Sequence, residues 1–361
     1  MNLNQKIICV LFGGMSSEHE ISLLSAASII KNLNRETYQI LPVGITKKGQ
    51  WLYAPDATPA SIADGSWQAL ASNVPATLSA DRKMRGLILF GKSPTVRHVD
   101  CVFPALHGKY GEDGCVQGLL ELSGIPYVSP GVSASAVAMD KTLTKLVVRE
   151  LGIRQADWLV LRAADFDSDP SAEIARIEAR FSYPVFVKPA NTGSSVGINK
   201  AKNRDGLQFA LEEASRYDDK LLVEECIEGL EIETAVLGNR EPRVSQCGQI
   251  LPAREFYCYE SKYFDKASKT LIPAELTAEE DQEIRAAAAR IYQALDCRCL
   301  SRVDFFVTRG AAPAVVFNEI NTIPGFTDIS MYAKLFDAEG IPYPPLLDRL
   351  IACAFDARSD A

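Results

Sequence analysis

Apolar residues recur along the chain with two periods, and the switch between them predicts the elements. Residues 7–12 are a continuous apolar run, the pattern of a strand buried on both faces of a parallel sheet. Gly13-Gly14 ends that run, and beyond a polar stretch Ile21, Leu24, Ala27, Ile30 and Leu33 fall at helical spacing. Residues 38–45 predict a second strand and residues 99–105 a third, so the opening is α/β. A helix over residues 116–122, a strand at Tyr127-Val128 and a small-residue helix near residues 133–138 complete this part. Between residues 49 and 96, Trp51, Pro55, Pro59, Trp67 and Pro75 break any period; the segment is assigned to the first domain as an elaboration.

The pattern changes at Met139-Asp140-Lys141. Residues 143–151 are amphipathic with a helical period, and Gly152 stops them. Strands at residues 158–161, 184–188 and 221–225 alternate with helices at 171–181 and 205–216. A glycine-rich loop, residues 190–197, turns into another strand at Ile198, which makes a small α+β unit. The last third has strands at 231–237 and 244–250, and a helix at 279–295 that opens with Thr277 and Glu280 in capping-box spacing. Three units are expected: residues 1–139, 140–227 and 228–361.

The candidate chemistry concentrates in residues 300–326, which predict two strands joined by a tight turn. β-Branched and aromatic residues fill both arms, and Gly310 and Pro313 mark the turn. Folding about Ala311 and Ala312 sets Asp304 opposite Glu319 and Arg302 opposite Asn321, all on one face, with Val303, Phe305 and Val307 turned to the core. Opposed carboxylates repel across a ladder, and a cation between them resolves the conflict. Oxygen donors from Asp, Glu and Asn suit Mg2+, which takes one or two carboxylates and completes its octahedron with phosphate oxygens and water. A solvated acidic edge is the plain alternative; Arg302 and the Asn-Thr-Ile-Pro-Gly exit favour the metal.

Composition narrows the partners. A length of 361 residues has room for two or three domains with a full core. The net charge of -8 argues against a nucleic acid or an anionic membrane, while a local basic pocket for phosphates stays compatible with it. Nine cysteines, scattered singly apart from Cys297-Arg-Cys299, fit reduced thiols in a cytosol and no zinc site. The apolar opening is too short for a signal peptide or a membrane span, so a cytoplasmic protein is expected.

Four more stretches carry candidate chemistry. Gly193-Ser194-Ser195-Val196-Gly197 follows Lys188-Pro189 between two strands; glycines let backbone N–H groups approach an anion, and serines add hydroxyl donors. This is no Walker A site, which needs Gly-Lys-Ser/Thr opening a helix. A hairpin turn is the alternative, and Lys188 and Lys141 favour phosphate. Glu224, Glu225, Ile227 and Glu231 mark a strand leaving one unit for the next, where backbone groups can meet an adenine edge and a carboxylate a ribose; taken alone, a solvated acidic linker fits better. Glu18 lies beyond Gly13-Gly14 at a strand's carboxyl end, where α/β folds bind ligands, but the Gly-x-Gly-x-x-Gly fingerprint of a nicotinamide dehydrogenase is missing. Residues 256–263 mix rings with Lys262, a composition suited to a lid over phosphates.

In order, these stretches resemble the D-alanine:D-alanine ligases of bacterial wall synthesis, members of the ATP-grasp superfamily. The likeness covers nearly the whole chain. It is carried by Gly13-Gly14-x-Ser16-x-Glu18-x-Glu20-x-Ser22, His107-Gly-x-x-Gly-Glu-Asp-Gly114, Met139-Asp-Lys141, Lys188-Pro-x-x-x-Gly-Ser194-Ser195-Val-Gly197, Tyr257-x-Tyr-x-x-Lys262-Tyr263, Arg302-x-Asp304 and Glu319-x-Asn321-Thr-x-Pro-Gly325.

The resemblance implies a three-domain ATP-grasp fold, α/β and α+β, with a Rossmann-like parallel sheet at the N-terminus and ATP between the second and third domains. It implies ligation of two D-alanines through an acyl phosphate, two Mg2+ ions for which Mn2+ substitutes, and a homodimer. By position, Lys141, Lys188, Lys262, Ser194 and Ser195 would contact phosphates, Glu224, Glu225 and Ile227 the adenine, and Glu231 the ribose. Asp304, Glu319 and Asn321 would hold metal, and Glu18 the first ammonium, in a network with Ser194 and Tyr263. Arg302 and the N–H of Gly325 would stabilise the oxyanion; His107 and Ser330 would bind substrate. The lid has no histidine of the D-lactate enzymes, and Met331 stands where D-serine enzymes often have arginine. Ile329 replaces a histidine usual in D-alanine enzymes, and the Asn-Thr-Ile-Pro-Gly-Phe-Thr run looks more like that of the D-serine enzymes. D-Alanine is the expected second substrate and D-serine the closest rival, followed by another ATP-grasp amino-acid ligase.

Overall fold

The computed structural model describes residues 5–251, 269–310, 312–327 and 330–359. The first sheet contains β1 (Lys6–Gly13), β2 (Tyr38–Ile45), β3 (Trp51–Tyr53), β4 (Val74–Leu78), β5 (Gly86–Phe90), β6 (Pro94–His98) and β7 (Cys101–Ala105), in the order β6-β5-β4-β3-β2-β1-β7. β1 pairs in parallel with β2 and β7. From β2 outward every pairing is antiparallel, so the expected parallel sheet is a parallel centre with an antiparallel extension. That extension is the stretch whose prolines hid its pattern; Pro75 and Pro94 sit in its short strands. The strand expected at Tyr127-Val128 is one parallel bridge to Val102.

The second sheet is antiparallel: β8 (Trp158–Arg162), β9 (Val185–Pro189), β10 (Asn199–Ala201) and β11 (Lys220–Glu225), ordered β10-β9-β11-β8. The third holds β12 (Gly229–Leu237), β13 (Arg243–Val244), β14 (Gly248–Leu251), β15 (Lys269–Leu271), β16 (Leu300–Thr308) and β17 (Val315–Asn321), ordered β15-β14-β12-β16-β17 with β13 beside β12. The single strand expected over residues 244–250 is split because the Ser245 hydroxyl, 2.9 Å from the Ala235 N–H, takes over a ladder bond. Thr277 and Glu280 form the expected capping box on helix Ala278–Ala294.

One core joins the first and third sheets: Ile8, Val10 and Phe12 share it with Phe326, Tyr332, Leu346 and Leu350. The central sheet packs on its own core around Leu161, Val187, Leu211 and Val223. Val148, on helix Lys141–Glu150, is buried in the core of the third sheet. Among the described residues no helix is long and apolar enough to cross a membrane.

Candidate active site

β16 and β17 pair Arg302 with Asn321 and Asp304 with Glu319, the register that alternation predicts. Beyond Asp304 the ladder slips by one, so that Phe305 faces Phe317 and Asn318 is the extra residue of a bulge. On the other flank β12 sets Glu233 opposite Asp304. Three carboxylates therefore stand in one row across three strands. Arg302 pairs with two of them: its guanidinium donates to both Asp304 oxygens at 2.8 and 2.7 Å, and its Nε lies 3.0 Å from Glu233. Burial pulls its pKa down, but Asp304 and Glu233 hold it well above the usual arginine value.

Asn321 donates its amide N–H to Asp304 at 3.1 Å, which leaves its carbonyl oxygen to a ligand. Among the described residues no three His, Cys, Asp or Glu side chains form a metal cage. An ion here would rely on Asp304, Glu319, Asn321 and oxygens from nucleotide and water, and that donor set fits Mg2+.

A cleft of about 470 Å³ separates the four-stranded sheet from the six-stranded one, within the ~300–1,000 Å³ usual for small-molecule sites. Lys141, Lys188, Ser194, Ser195, Glu224, Glu225, Ile227, Glu231 and Glu319 all line it. Asp140 caps helix Lys141–Glu150, accepting from the N–H groups of Thr142 and Leu143 at 3.0 and 3.3 Å, and pairs with Lys220. The cap aims Lys141 and, one turn later, Lys145 into the cleft. Burial lowers the pKa of both ammonium groups. Lys145 lies 2.6 Å from Glu224, which also pairs with Lys188. Burial alone would push the Glu224 carboxyl up, but the two lysines pull it down to about 2.

A smaller pocket of about 160 Å³ adjoins the cleft. Gly193, Ser194 and Glu319 line both, so whatever occupies one meets the occupant of the other. Ser194 donates to Glu18 from a backbone held at φ 48°. A Cβ on Gly193 would lie 2.7 Å from the Glu18 carboxylate, and one on Gly108 2.4 Å, so glycine at both positions is what lets the loops close on it. Arg302, Asn321, Gly325, Ser330 and Met331 form the opposite wall. Both ring nitrogens of His107, which also lines this pocket, are engaged by the protein itself: Nδ1 lies 3.0 Å from the Ile323 carbonyl and Nε2 2.8 Å from Ser25 Oγ. Burial pushes the imidazole down to about 4, the Ile323 carbonyl opposing. Lys262, Tyr263 and Ile329 lie outside the described residues.

The sequence matches the family profile "D-ala D-ala ligase N-terminus" over residues 7–130 and "D-ala D-ala ligase C-terminus" over residues 147–352. The chain belongs to the D-alanine–D-alanine ligase family. It is 49% identical to the D-alanine–D-alanine ligase of Caldicellulosiruptor bescii, covering 97% of this chain and 95% of that one. Among solved structures it is similar to the VanG D-Ala:D-Ser ligase of Enterococcus faecalis, with a TM-score of 0.87, 38% identity, and 97% of this chain and 99% of that one covered. It is also similar to the D-alanine–D-alanine ligase of Bacillus anthracis complexed with ATP, with a TM-score of 0.71, 28% identity, and 98% and 99% covered. These neighbours have the ATP-grasp fold, and so does this chain.

In this member of the ligase family three residues at the site had no role assigned from the sequence. Lys145 sits four residues after Lys141, a helical spacing that places both on one face. Glu233 sits two after Glu231 on a strand, a period-2 signal. Glu112 accepts from the N–H groups of Gly108 and Ile323 at 2.8 and 3.1 Å. Burial and the charge of Glu18 push its carboxyl up to about 8. Glu112 is the glutamate of the motif at residues 107–114 that carries the resemblance, but the motif alone assigned it no role.

Proposed function

We propose that this chain is the ATP-dependent ligase that joins two D-alanines for peptidoglycan precursors, with the first amino acid in the small pocket and ATP in the large cleft. The observation that carries the reading is the wall common to the two: Ser194, held on Glu18, and Glu319 border both spaces. The ammonium of the first D-alanine pairs with Glu18, and its carboxylate points past Ser194 towards the cleft. That carboxylate attacks the γ-phosphoryl group and ADP leaves, giving an acyl phosphate. Lys141 and Lys188 bind the phosphates; the Glu224 region holds the adenine and Glu231 the ribose. Mg2+ held by Asp304, Glu319 and Asn321 would supply charge neutralisation at the phosphoryl group.

The amine of the second D-alanine, its carboxylate on Ser330, then attacks the activated carbonyl. Arg302 and the Gly325 N–H receive the oxyanion, and phosphate departs as the peptide bond forms. Lys262 and Tyr263 complete the phosphate and Glu18 networks. We assign the three units to residues 1–139, 140–227 and 228–361, the assembly to a homodimer and the compartment to the cytoplasm. Among the described residues Cys9, Cys101, Cys115, Cys247, Cys297, Cys299 and Cys353 carry free thiols, which accords with a reducing compartment.

D-Serine is the second reading for the second substrate, favoured by the likeness to the D-Ala:D-Ser ligase and by the Asn-Thr-Ile-Pro-Gly-Phe-Thr run, while Met331 in the pocket wall, where such enzymes often have arginine, counts against it. ATP-dependent phosphate release is measured with D-alanine alone, then with D-serine, D-lactate or L-alanine added, and products are identified. D-Alanyl-D-alanine from D-alanine alone is the expected product. A mixed D-alanyl-D-serine product in preference to it moves the second substrate to D-serine. No release with any of them overturns the reading.

A further inference from the structure

The Ser25–His107 pair sits at the edge of the substrate pocket, with His107 in its lining, and neither side chain has a role in the steps above that matches its contacts. The Ile323 carbonyl can only accept, so His107 Nδ1 carries the proton that bonds it. The neutral ring then presents an unprotonated Nε2, which accepts from the Ser25 hydroxyl 2.8 Å away. Ser25 Oγ in turn receives the Phe326 N–H at 3.3 Å. The outer groups of the same loop are fixed too: Glu112 accepts from the Ile323 N–H at 3.1 Å, and the Tyr343 hydroxyl donates to the Phe326 carbonyl at 2.8 Å. Four backbone groups, two on Ile323 and two on Phe326, are thus each bonded by a distant side chain.

The geometry places two pinned peptide units on either side of an unpinned one. The Ile323 carbonyl belongs to the peptide before Pro324, and the Phe326 N–H to the peptide after Gly325. Between them lies the Pro324–Gly325 peptide, whose N–H has no hydrogen-bond partner among the described residues. A Cβ on Gly325 would meet nothing within 4 Å, and Pro324 and Gly325 both line the substrate pocket, so there is open space beside that peptide. We propose that Ser25 and His107 are positioning residues for the oxyanion donor: their bonds to Ile323 and Phe326 aim the Gly325 N–H into the substrate pocket. The inference rests on the ligase reading, in which that N–H meets the tetrahedral intermediate.

Ser25 does not line the pocket, and His107 borders it with both ring nitrogens taken by Ser25 and Ile323, which separates this role from direct binding. Losing an oxyanion donor costs about 100–1,000-fold in kcat, and misplacing a group by about 1 Å costs up to about 100-fold. Ser25→Ala and His107→Asn are therefore expected to lower kcat by about 10–100-fold, while KM for D-alanine and for ATP stays within about threefold. His107→Asn keeps a donor towards Ile323 but loses the acceptor for Ser25, so the double variant should cost little more than the worse single one. Thermal denaturation with and without ATP confirms that each variant folds and binds nucleotide; Ser25→Cys, which keeps the shape with a weaker donor, stands in if Ser25→Ala does not fold. Unchanged kcat, additive losses, or a raised KM for D-alanine at constant kcat overturns the positioning role. A wild-type protein that forms no dipeptide overturns the ligase reading itself, so the two failures are told apart.

Discussion

Arg302 sets the charge balance of the site, because two buried carboxylates, Asp304 and Glu233, depend on it. Arg302→Ala removes the cation that both share, and breaking such a buried pair typically costs about 3–5 kcal/mol. On the proposed mechanism the same change also removes an oxyanion donor, for about 100–1,000-fold in kcat. Arg302→Lys keeps the charge but not the fork that bonds both Asp304 oxygens, so stability should recover further than rate. Urea unfolding beside steady-state kinetics separates the two effects, and near-normal turnover in either variant removes Arg302 from the mechanism. Gly193→Ala is the converse case. Its Cβ would press only on the far end of the Glu18 side chain, so the fold should tolerate it while KM for D-alanine rises, by about tenfold. An unchanged KM would separate Glu18 from the substrate. Glu224 adds a pH signature: its carboxyl is at about 2 in the folded chain against a usual 4.5. A depressed carboxyl contributes stability that is present above about pH 4.5 and lost as pH falls towards 2. Unfolding curves between those limits should be steeper in pH for the wild type than for Glu224→Gln.

Caps and registers carry these residues to the site, and their legibility follows from how local their causes are. Asp140 accepts two helix N–H groups and an ammonium. Asp140→Asn keeps the cap and loses the Lys220 pair; Asp140→Ala loses both, and a lost cap costs about 1 kcal/mol. Ala should therefore lower the melting temperature more than Asn, and only Ala should raise KM for ATP, since it frees the turn that carries Lys141. Equal KM values would mean that Lys141 is aimed by something else. The Thr277–Glu280 box and the Asp304–Glu319 register were readable because each depends on spacing along the chain. The bulge at Asn318 was not, since Asn318-Glu319 are both polar and keep the alternation plausible in either register. Glu112 was illegible for another reason: its partners Gly108 and Ile323 come together only when the first and third sheets pack.

At the scale of the whole molecule the three sheets are joined unequally. The first and third share apolar residues from Ile8 to Leu350 in one core, and Ser25, His107 and Glu112 bond across the same boundary. The central sheet has its own core and reaches the first unit through the Ser194–Glu18 bond. Ser194 and Ser195 hold φ of 48° and 60° to make that reach, a conformation that costs on the order of 1–3 kcal/mol for a residue other than glycine. Such a loop keeps its shape only while its contacts hold. Ser194→Ala removes the tie without disturbing either core. Amide exchange should then quicken by about tenfold or more at residues 193–197 and along β9 and β10. β1 and β12, buried in or beside the common core, should exchange as before. A slowing of ligation with the same distribution would connect this tie to turnover. Equal acceleration in all three sheets would mean that the tie stabilises the fold globally, and no acceleration anywhere would mean that the loop is held by its own backbone bonds, Val196 N–H to the Gly193 carbonyl among them.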